Sequence, residues 1–340
     1  MKNQNIILVG VTNGKARQYI QTLKNLGHNV QTIQSHAVET YSIYEKIRYK
    51  IRLPIDKNNL NQKLLKSIKD KSINIIIDFK SLVLRKTTME KIRQISPSIK
   101  IIFFSEDDMS RNHNNSIYFL NAIKNYDCVF VSNQKHLAET MLRLGAKKSH
   151  FQYKSFDETL CEKITLNKSE FDKYKSDVTF VGTFEKQRAQ IMFRLAKKGI
   201  KIVVWGNGWS SWKNKHTNLI VKDMPIYGNE WVKVINASKI NLNFLRKIND
   251  DLHTSRSVDI PACAAFMLAE RTTEHMDLFV EGKEAEFFGD EKELETKIMF
   301  YLKNDKKRND IAQQAYNKCR SSDYSHSKKI KEIINLINKL

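Results

Sequence analysis

Residues 253–274 read HTSRSVDIPACAAFMLAERTTE, and this stretch decides the fold because its character changes twice within twenty-odd positions. Thr254 and Ser255 are helix-capping residue types, so a helix is predicted from Arg256 to Ala262 with unpaired backbone N–H groups at its first turn. Ala264–Ala269 then reads as a short buried strand, and Glu270–Glu274 as the polar segment leaving its carboxyl end. Helix, buried strand and polar edge form the repeating unit of a parallel α/β sheet, which binds ligands outside the carboxyl ends of its strands. The chemistry at this edge suits phosphate. A helix start attracts anions, and the planar fork of Arg256 can hold phosphate oxygens in a bidentate way. Asp259, three residues on, shares its helix face and could accept hydrogen bonds from ribose hydroxyls. His253, Thr254, Ser255, Arg256, Asp259, Glu270 and Arg271 are therefore the candidate nucleotide-binding residues of this stretch.

The same alternation extends in both directions. In the first half, strands are predicted at Ile6–Val11, Asn29–Gln34, Asn74–Phe79, Ile101–Ser105, Cys128–Ser132 and Ser149–Tyr153. Helices are predicted between them at Lys15–Leu26, Leu60–Lys69, Thr88–Ile95, Ser116–Lys124 and Gln134–Leu144. Residues 154–176 are charged and non-periodic and read as a linker. Alternation resumes with strands at Val178–Gly182, Ile202–Trp205, Leu219–Lys222, Ile240–Phe244, Ala264–Ala269 and Ala285–Phe288. The predicted fold class is α/β: two Rossmann-like doubly wound parallel-sheet domains facing a cleft, at 1–153 and 177–323. A tail at 324–340 carries Ile330, Ile333, Ile334, Ile337 and Leu340 at helical spacing among lysines. It reads either as a helix packed on its own protein or as a basic amphipathic helix touching a membrane.

Bulk composition narrows the classes. A chain of 340 residues with 41% apolar and 28% charged side chains is a folded protein of about two domains. Its net charge of +21 would draw it toward phosphates, nucleic acid or anionic lipid. Lysine supplies 44 of the 58 basic residues and arginine only 14, spread along the whole chain with many Ile and Asn, the mark of an AT-rich coding bias. No arginine-rich or RNP-like motif accompanies the charge, so nucleic acid is not the expected partner. The four cysteines are at least 33 residues apart, which excludes a CxxC zinc or redox pair and suits a reduced cytoplasm. The amino-terminal apolar run fits a first strand and lacks a cleavage site, and no run reaches the ~20 apolar residues of a membrane span.

Further candidates lie at other strand ends. Gly182 and Thr183 follow one predicted strand, and Gly206, Asn207 and Gly208 follow another, where Trp205 or Trp209 could wall a base pocket. Lys186 and Arg188 open the next helix and could face a diphosphate. Gly10-Val11-Thr12-Asn13-Gly14-Lys15 is one residue short of a P-loop and has Ala16 where that motif needs Ser or Thr, which leaves a glycine turn. Asp107 and Asp108, with His113 close behind, follow a strand of the first half and are the candidate catalytic residues for deprotonating an acceptor hydroxyl. Asp250-Asp251 is an adjacent acidic pair without metal-ligand spacing, so no metal and no cofactor are expected.

Together these residues resemble the CgeB-like, GT-B type bacterial glycosyltransferases, whose carboxyl-terminal domain is of the glycosyltransferase group 1 type. The resemblance rests on Phe180-Val181-Gly182-Thr183, Trp205-Gly206-Asn207-Gly208-Trp209, Thr254-Ser255-Arg256 through Ile260-Pro261-Ala262, Phe266-Met267-Leu268-Ala269-Glu270-Arg271 and Leu278 through Glu284. It spans about 176–320, and more thinly Ser105-Glu106-Asp107-Asp108 and Leu144-Gly145-Ala146-Lys147. The chain departs from the family pattern in having Val258-Asp259 before Ile260-Pro261-Ala262 where Phe-Glu is usual, and Cys263-Ala264-Ala265 where a glycine is usual. What the resemblance implies is a metal-independent hexosyltransferase-like enzyme of surface polysaccharide or glycoconjugate assembly. Its donor nucleotide sugar would sit on the carboxyl-terminal domain and a glycan, lipid-linked or protein acceptor on the amino-terminal one. Its place would be the cytoplasm, with peripheral contact at the inner membrane face as a further reading. Alternatives of similar layout are a nucleotide-sugar epimerase, a non-catalytic sugar-nucleotide binder and a nucleic-acid-binding protein.

Overall fold

Isoleucine and valine fill the first predicted strand, and in the computed structural model, which describes residues 3–35, 42–69 and 72–340, it runs as β1 (Asn5–Gly10). It is joined by β2 (Asn29–Gln34), β3 (Ile75–Phe79), β4 (Lys100–Ser105), β5 (Cys128–Val131) and β6 (Ser149–Phe151). The order is β2-β1-β3-β4-β5-β6, with every neighbour parallel. Alternate side chains of β1 feed two cores, as the pleat demands. Ile7 and Val9 pack with Leu60, Leu64, Met89, Ile92 and Phe119 on one face; Ile6 and Leu8 pack with Tyr19, Ile20 and Leu23 on the other.

That second face is completed from the far end of the chain. Helix His326–Asn338 returns Ile330, Ile333, Ile334 and Ile337 to the core beside Tyr19 and Leu23. The first compact unit is accordingly Met1–Lys154 with His326–Leu340, and the second is Ser155–Ser325. Of the two readings of the tail, the structure realises packing on the protein itself: its apolar row is buried and so has no face left for a bilayer.

The second unit holds β7 (Ser176–Val181), β8 (Ile202–Trp205), β9 (Leu219–Val221), β10 (Ser238–Asn243), β11 (Met267–Glu270) and β12 (Glu286–Phe288). Their order is β12-β11-β10-β7-β8-β9, again all parallel. Strand order reverses between β7 and β10 here, and between β1 and β3 in the first unit, and such reversals open a crevice at the carboxyl edge. At both edges a glycine allows the close approach. A Cβ on Gly10 would lie 2.3 Å from the Phe79 carbonyl oxygen, and one on Gly206 2.0 Å from that of Gly182, with φ +122 and +144 respectively.

Three departures from the sequence reading have local causes. The strand predicted to begin at Ala264 begins at Met267, because Ala264 takes a left-handed φ of 53° and donates its N–H back to the Pro261 carbonyl. Residues read as a linker belong to the second unit: Lys168–Tyr174 is a helix with an Asn167–Glu170 capping box, tied by Glu170–Lys233 at 2.6 Å and Tyr174–Glu230 at 3.0 Å. Phe156 also bridges Ser325, joining the unit's entry to its exit. Helix Ile43–Lys50 is absent from the predicted helices: it is only eight residues long, its short apolar period is interrupted by charges, and none of its residues is buried.

Because Ile334 of the tail helix is fully buried in the first unit's core, Ile334→Ala is expected to destabilise that unit by about 2 to 5 kcal/mol. Urea unfolding followed by circular dichroism checks this; wild-type stability would show that the tail is not part of that core.

Candidate functional site

The carboxyl ends of β7 and β8 are locked backbone to backbone. Gly182 N–H donates to the Trp205 carbonyl at 2.8 Å, Phe184 N–H to Asn207 at 2.9 Å, and Trp209 Nε1 to the Gly182 carbonyl at 2.9 Å. Trp209 is fully buried and packs edge-on to Phe180 and Phe184, and Trp205 is buried too, so neither indole walls an open base pocket. Thr183, Asn207 and Gly208 remain exposed at this edge.

A buried polar network fastens the opening stretch to the sheet. Ser257 Oγ accepts from the Thr254 N–H at 2.9 Å and from Asn243 Nδ2 at 3.1 Å, and lies 2.7 Å from His275 Nε2. The other ring nitrogen, Nδ1, is 2.6 Å from the Glu270 carbonyl oxygen. A carbonyl can only accept, so Nδ1 carries the proton and Nε2 receives the Ser257 hydroxyl. Thr254 Oγ1 closes the circuit on Asn243 Oδ1 at 3.1 Å. The ends of β10 and β11 and the start of helix Arg256–Ala262 are thus one hydrogen-bonded unit. His253 and Glu274, paired at 2.6 Å and both buried, pin the stretch a second time. Ser257, His275, Asn243 and Glu274 escaped the sequence reading, because nothing in the local pattern distinguishes a buried polar tie from a surface one.

The helix starts at Arg256 as expected, but Ser255 makes no side-chain cap. Arg256 is one-third exposed, reaches Asp259 at 3.2 Å and lies over the Trp231 ring at 4.5 Å. Asp259 itself is buried and also accepts from Cys161 Sγ at 3.8 Å. Arg188 is buried, paired with Glu185 at 2.6 Å and stacked over Phe180, which leaves Lys186 exposed beside it. Arg271 is held by Glu281 and Glu293, each at 2.6 Å, and this pairing raises its pKa while holding Glu293 down at about 2.

Glu270 and Arg271 border a cavity of about 430 Å³ at the carboxyl edge of β10, β11 and β12. Lys247, Asp250, Asp251, Leu252, Thr272 and Phe288 complete much of its wall. Lys247, whose ammonium lies 2.9 Å from Glu270 and whose side chain is largely exposed, brings a cation to this cavity. Its place four residues beyond the carboxyl end of β10 was the signal that could have found it. Among the described residues, no group of three His, Cys, Asp or Glu side chains could hold a metal ion.

In the first unit, a cavity of about 250 Å³ at the β1–β3 reversal is lined by Val11, Ser35, Lys80, Ser81 and Asp107 among others. Lys80 pairs with Asp107 at 2.5 Å. Lys80 and Leu82 both adopt left-handed φ, of 51° and 59°, a strained backbone at this edge. The structure separates the two candidate bases. Asp108 is buried, with its oxygens taken by the Ser110 N–H at 2.9 Å, the Ser110 hydroxyl at 2.5 Å and Arg111 at 3.2 Å, whereas Asp107 opens on the cavity. His113 is exposed.

Burial depresses the His275 pKa from 6.5 to about 4. The unfolded chain therefore binds a proton that the folded chain refuses, so this residue's stabilisation is complete above about pH 6.5 and is lost as pH falls toward 4, roughly 3 kcal/mol in all. The unfolding free energy of wild type is expected to fall more steeply from pH 6.5 to 4.5 than that of His275→Gln. Parallel profiles would mean that the ring is not buried and neutral.

Residues 187–335 match the family described as glycosyl transferase-like. The chain has no match among curated proteins. Among solved structures it is similar to Anabaena HepE in complex with UDP and glucose, at 12% identity, with a TM-score of 0.67 and coverage of 99% of this chain and 100% of that one. It is also similar to a glycosyltransferase from Rickettsia africae, at 10% identity, TM-score 0.69 and 99% of both chains. A sucrose-phosphate synthase from Thermosynechococcus elongatus aligns at 11% identity, TM-score 0.63 and 99% of both chains. The two Rossmann-like units are thus those of the GT-B architecture, and the match to glycosyl transferase-like proteins covers most of the second unit and part of the tail helix.

Proposed function

We propose that the protein is a glycosyltransferase that moves a sugar from a nucleoside-diphosphate donor to an acceptor hydroxyl, with the donor on the second unit and the acceptor on the first. One observation carries this: every residue bordering the 430 Å³ cavity, from Gln187 to Leu294, falls inside the segment 187–335 that matches the glycosyl transferase-like family. Similar structures hold UDP or UDP-glucose in their own complexes, which supports a nucleotide sugar as the ligand here.

In the reaction the bond between the anomeric carbon and the diphosphate oxygen breaks, a bond to the acceptor oxygen forms, and the acceptor proton leaves. Positive charge develops on the sugar ring and negative charge on the departing diphosphate. Lys247, on the cavity wall, and Arg256, which opens its helix outside the cavity's lining, are the cations assigned to that diphosphate, without a metal ion. Asp259 is assigned to orienting Arg256 rather than to the ribose, because its carboxylate is buried against Arg256 and Cys161. Asp107, paired with Lys80, is the preferred base because it lines the cavity, whereas Asp108 is buried with its oxygens on its own loop. A hexosyl donor, a CgeB-like relationship and a role in surface polysaccharide or glycoconjugate assembly on the cytoplasmic side complete the reading. An epimerase would isomerise the donor with no acceptor present, and a transferase would not.

Thermal unfolding against UDP-, GDP-, ADP- and dTDP-sugars tests the donor site. At least one is expected to raise the Tm of wild type, and Arg256→Ala and Lys247→Ala should each bind it about tenfold more weakly, the loss of one charge-assisted contact. No stabilisation by any nucleotide sugar would refute the function; wild-type responses from both variants would put the diphosphate elsewhere.

A further inference from the structure

Helix Ile43–Lys50 lies on the first unit with no buried residue of its own, and its outward side chains are large and apolar. Ile43 is 79% exposed, Tyr44 63%, Ile47 53% and the capping residue Ile51 50%. Isolated exposed apolar residues are ordinary, but these are contiguous. At about 100° per residue they fall within one arc of roughly 100°, with Lys46 and Lys50 along one flank and Arg48 along the other.

The opposite face is committed. Glu45 and Tyr49 line the 250 Å³ cavity that also contains Lys80 and Asp107. The helix is capped at its start and tied to the unit beyond its end. Ser42 and Glu45 form a capping box at 3.2 and 2.7 Å, while beyond its last turn Arg52 Nε donates to Asn115 Oδ1 at 3.0 Å and the Arg52 carbonyl accepts from Ile117 at 2.8 Å. The apolar arc is therefore presented to the outside on an anchored element.

An apolar arc between two basic flanks is the arrangement of a helix lying in a bilayer interface, with lysine and arginine at headgroup level and isoleucine below. Charge selects this occupant over a second copy of the chain: a symmetric self-contact would press one patch bearing Lys46, Arg48 and Lys50 against an identical basic patch, in a protein that already carries +21. We propose that helix Ile43–Lys50 docks the protein on membranes rich in anionic lipid. The membrane contact first considered for the tail is thereby transferred to a helix whose apolar face is open.

Co-sedimentation of the full chain with phosphatidylcholine vesicles, with and without phosphatidylglycerol, tests this. Wild type is expected to pellet only with the anionic vesicles, and less as salt rises. Ile43→Glu with Ile47→Glu, and separately Lys46→Glu with Lys50→Glu, should weaken binding by more than about tenfold, each cation near an anionic surface being worth about 1 kcal/mol. Both pairs are exposed, so circular dichroism should match wild type. Lys292→Glu with Lys303→Glu makes the same charge change on the second unit and should leave binding within about twofold of wild type if the helix is the docking surface. Failure of wild type to bind anionic vesicles, equal loss in that control, or a dimer broken by Ile43→Glu with no vesicle binding would each overturn the proposal. Vesicle binding is read without turnover, so its absence would leave the transferase reading intact.

Discussion

The hydroxyl of Ser257 holds the second unit's site together. It sits among Thr254 N–H, Asn243 Nδ2 and His275 Nε2 at 2.9, 3.1 and 2.7 Å, in a place closed to water. Buried polar groups are costly when unpaired, so this arrangement is stable only with every partner in position. Each partner comes from a different element: the end of β10, the loop before helix Arg256–Ala262, and the helix after β11. One side chain therefore fixes how three carboxyl-edge segments stand to each other. Arg256, one residue before Ser257, inherits its position from that network, and the Glu270 carbonyl does so through His275 Nδ1.

Much of the layout could be read directly from residue types. A parallel strand buried on both faces appears as an unbroken apolar run, so β8 was placed to the residue; the edge strand β2, which mixes Val and Ile with polar residues, and helix Leu60–Lys69 were too. The reading was weakest where packing was absent or polar. Helix Lys168–Tyr174 is secured by caps and ion pairs, which leave no hydrophobic period, and helix Ile43–Lys50 turns its isoleucines outward. Ala264 shows a third limit, since no local signal announces a left-handed residue without glycine's freedom.

Residues of the site divided in a similar way. The sequence located the correct edge, because strand ends and glycines mark it. It could not say which charges were already spoken for. Arg188 and Arg271 are held by carboxylates and Asp108 by its own loop; Lys247, itself paired with Glu270, is the more exposed cation at the cavity and was not singled out. The two helices with exposed lysines show the same ambiguity. The tail and Ile43–Lys50 are both basic and amphipathic in sequence, and only the fold shows that the tail's isoleucines fill a core while the others face outward.

Hydrogen–deuterium exchange of the full chain with and without a stabilising nucleotide sugar tests the central claim, that the donor occupies the carboxyl edge of the second sheet. Slowed exchange concentrated in 245–256 and 270–291 is the result this account predicts. Protection confined to the first unit's edge at 10–15, 80–83 and 105–110, with 245–291 unchanged, would contradict it.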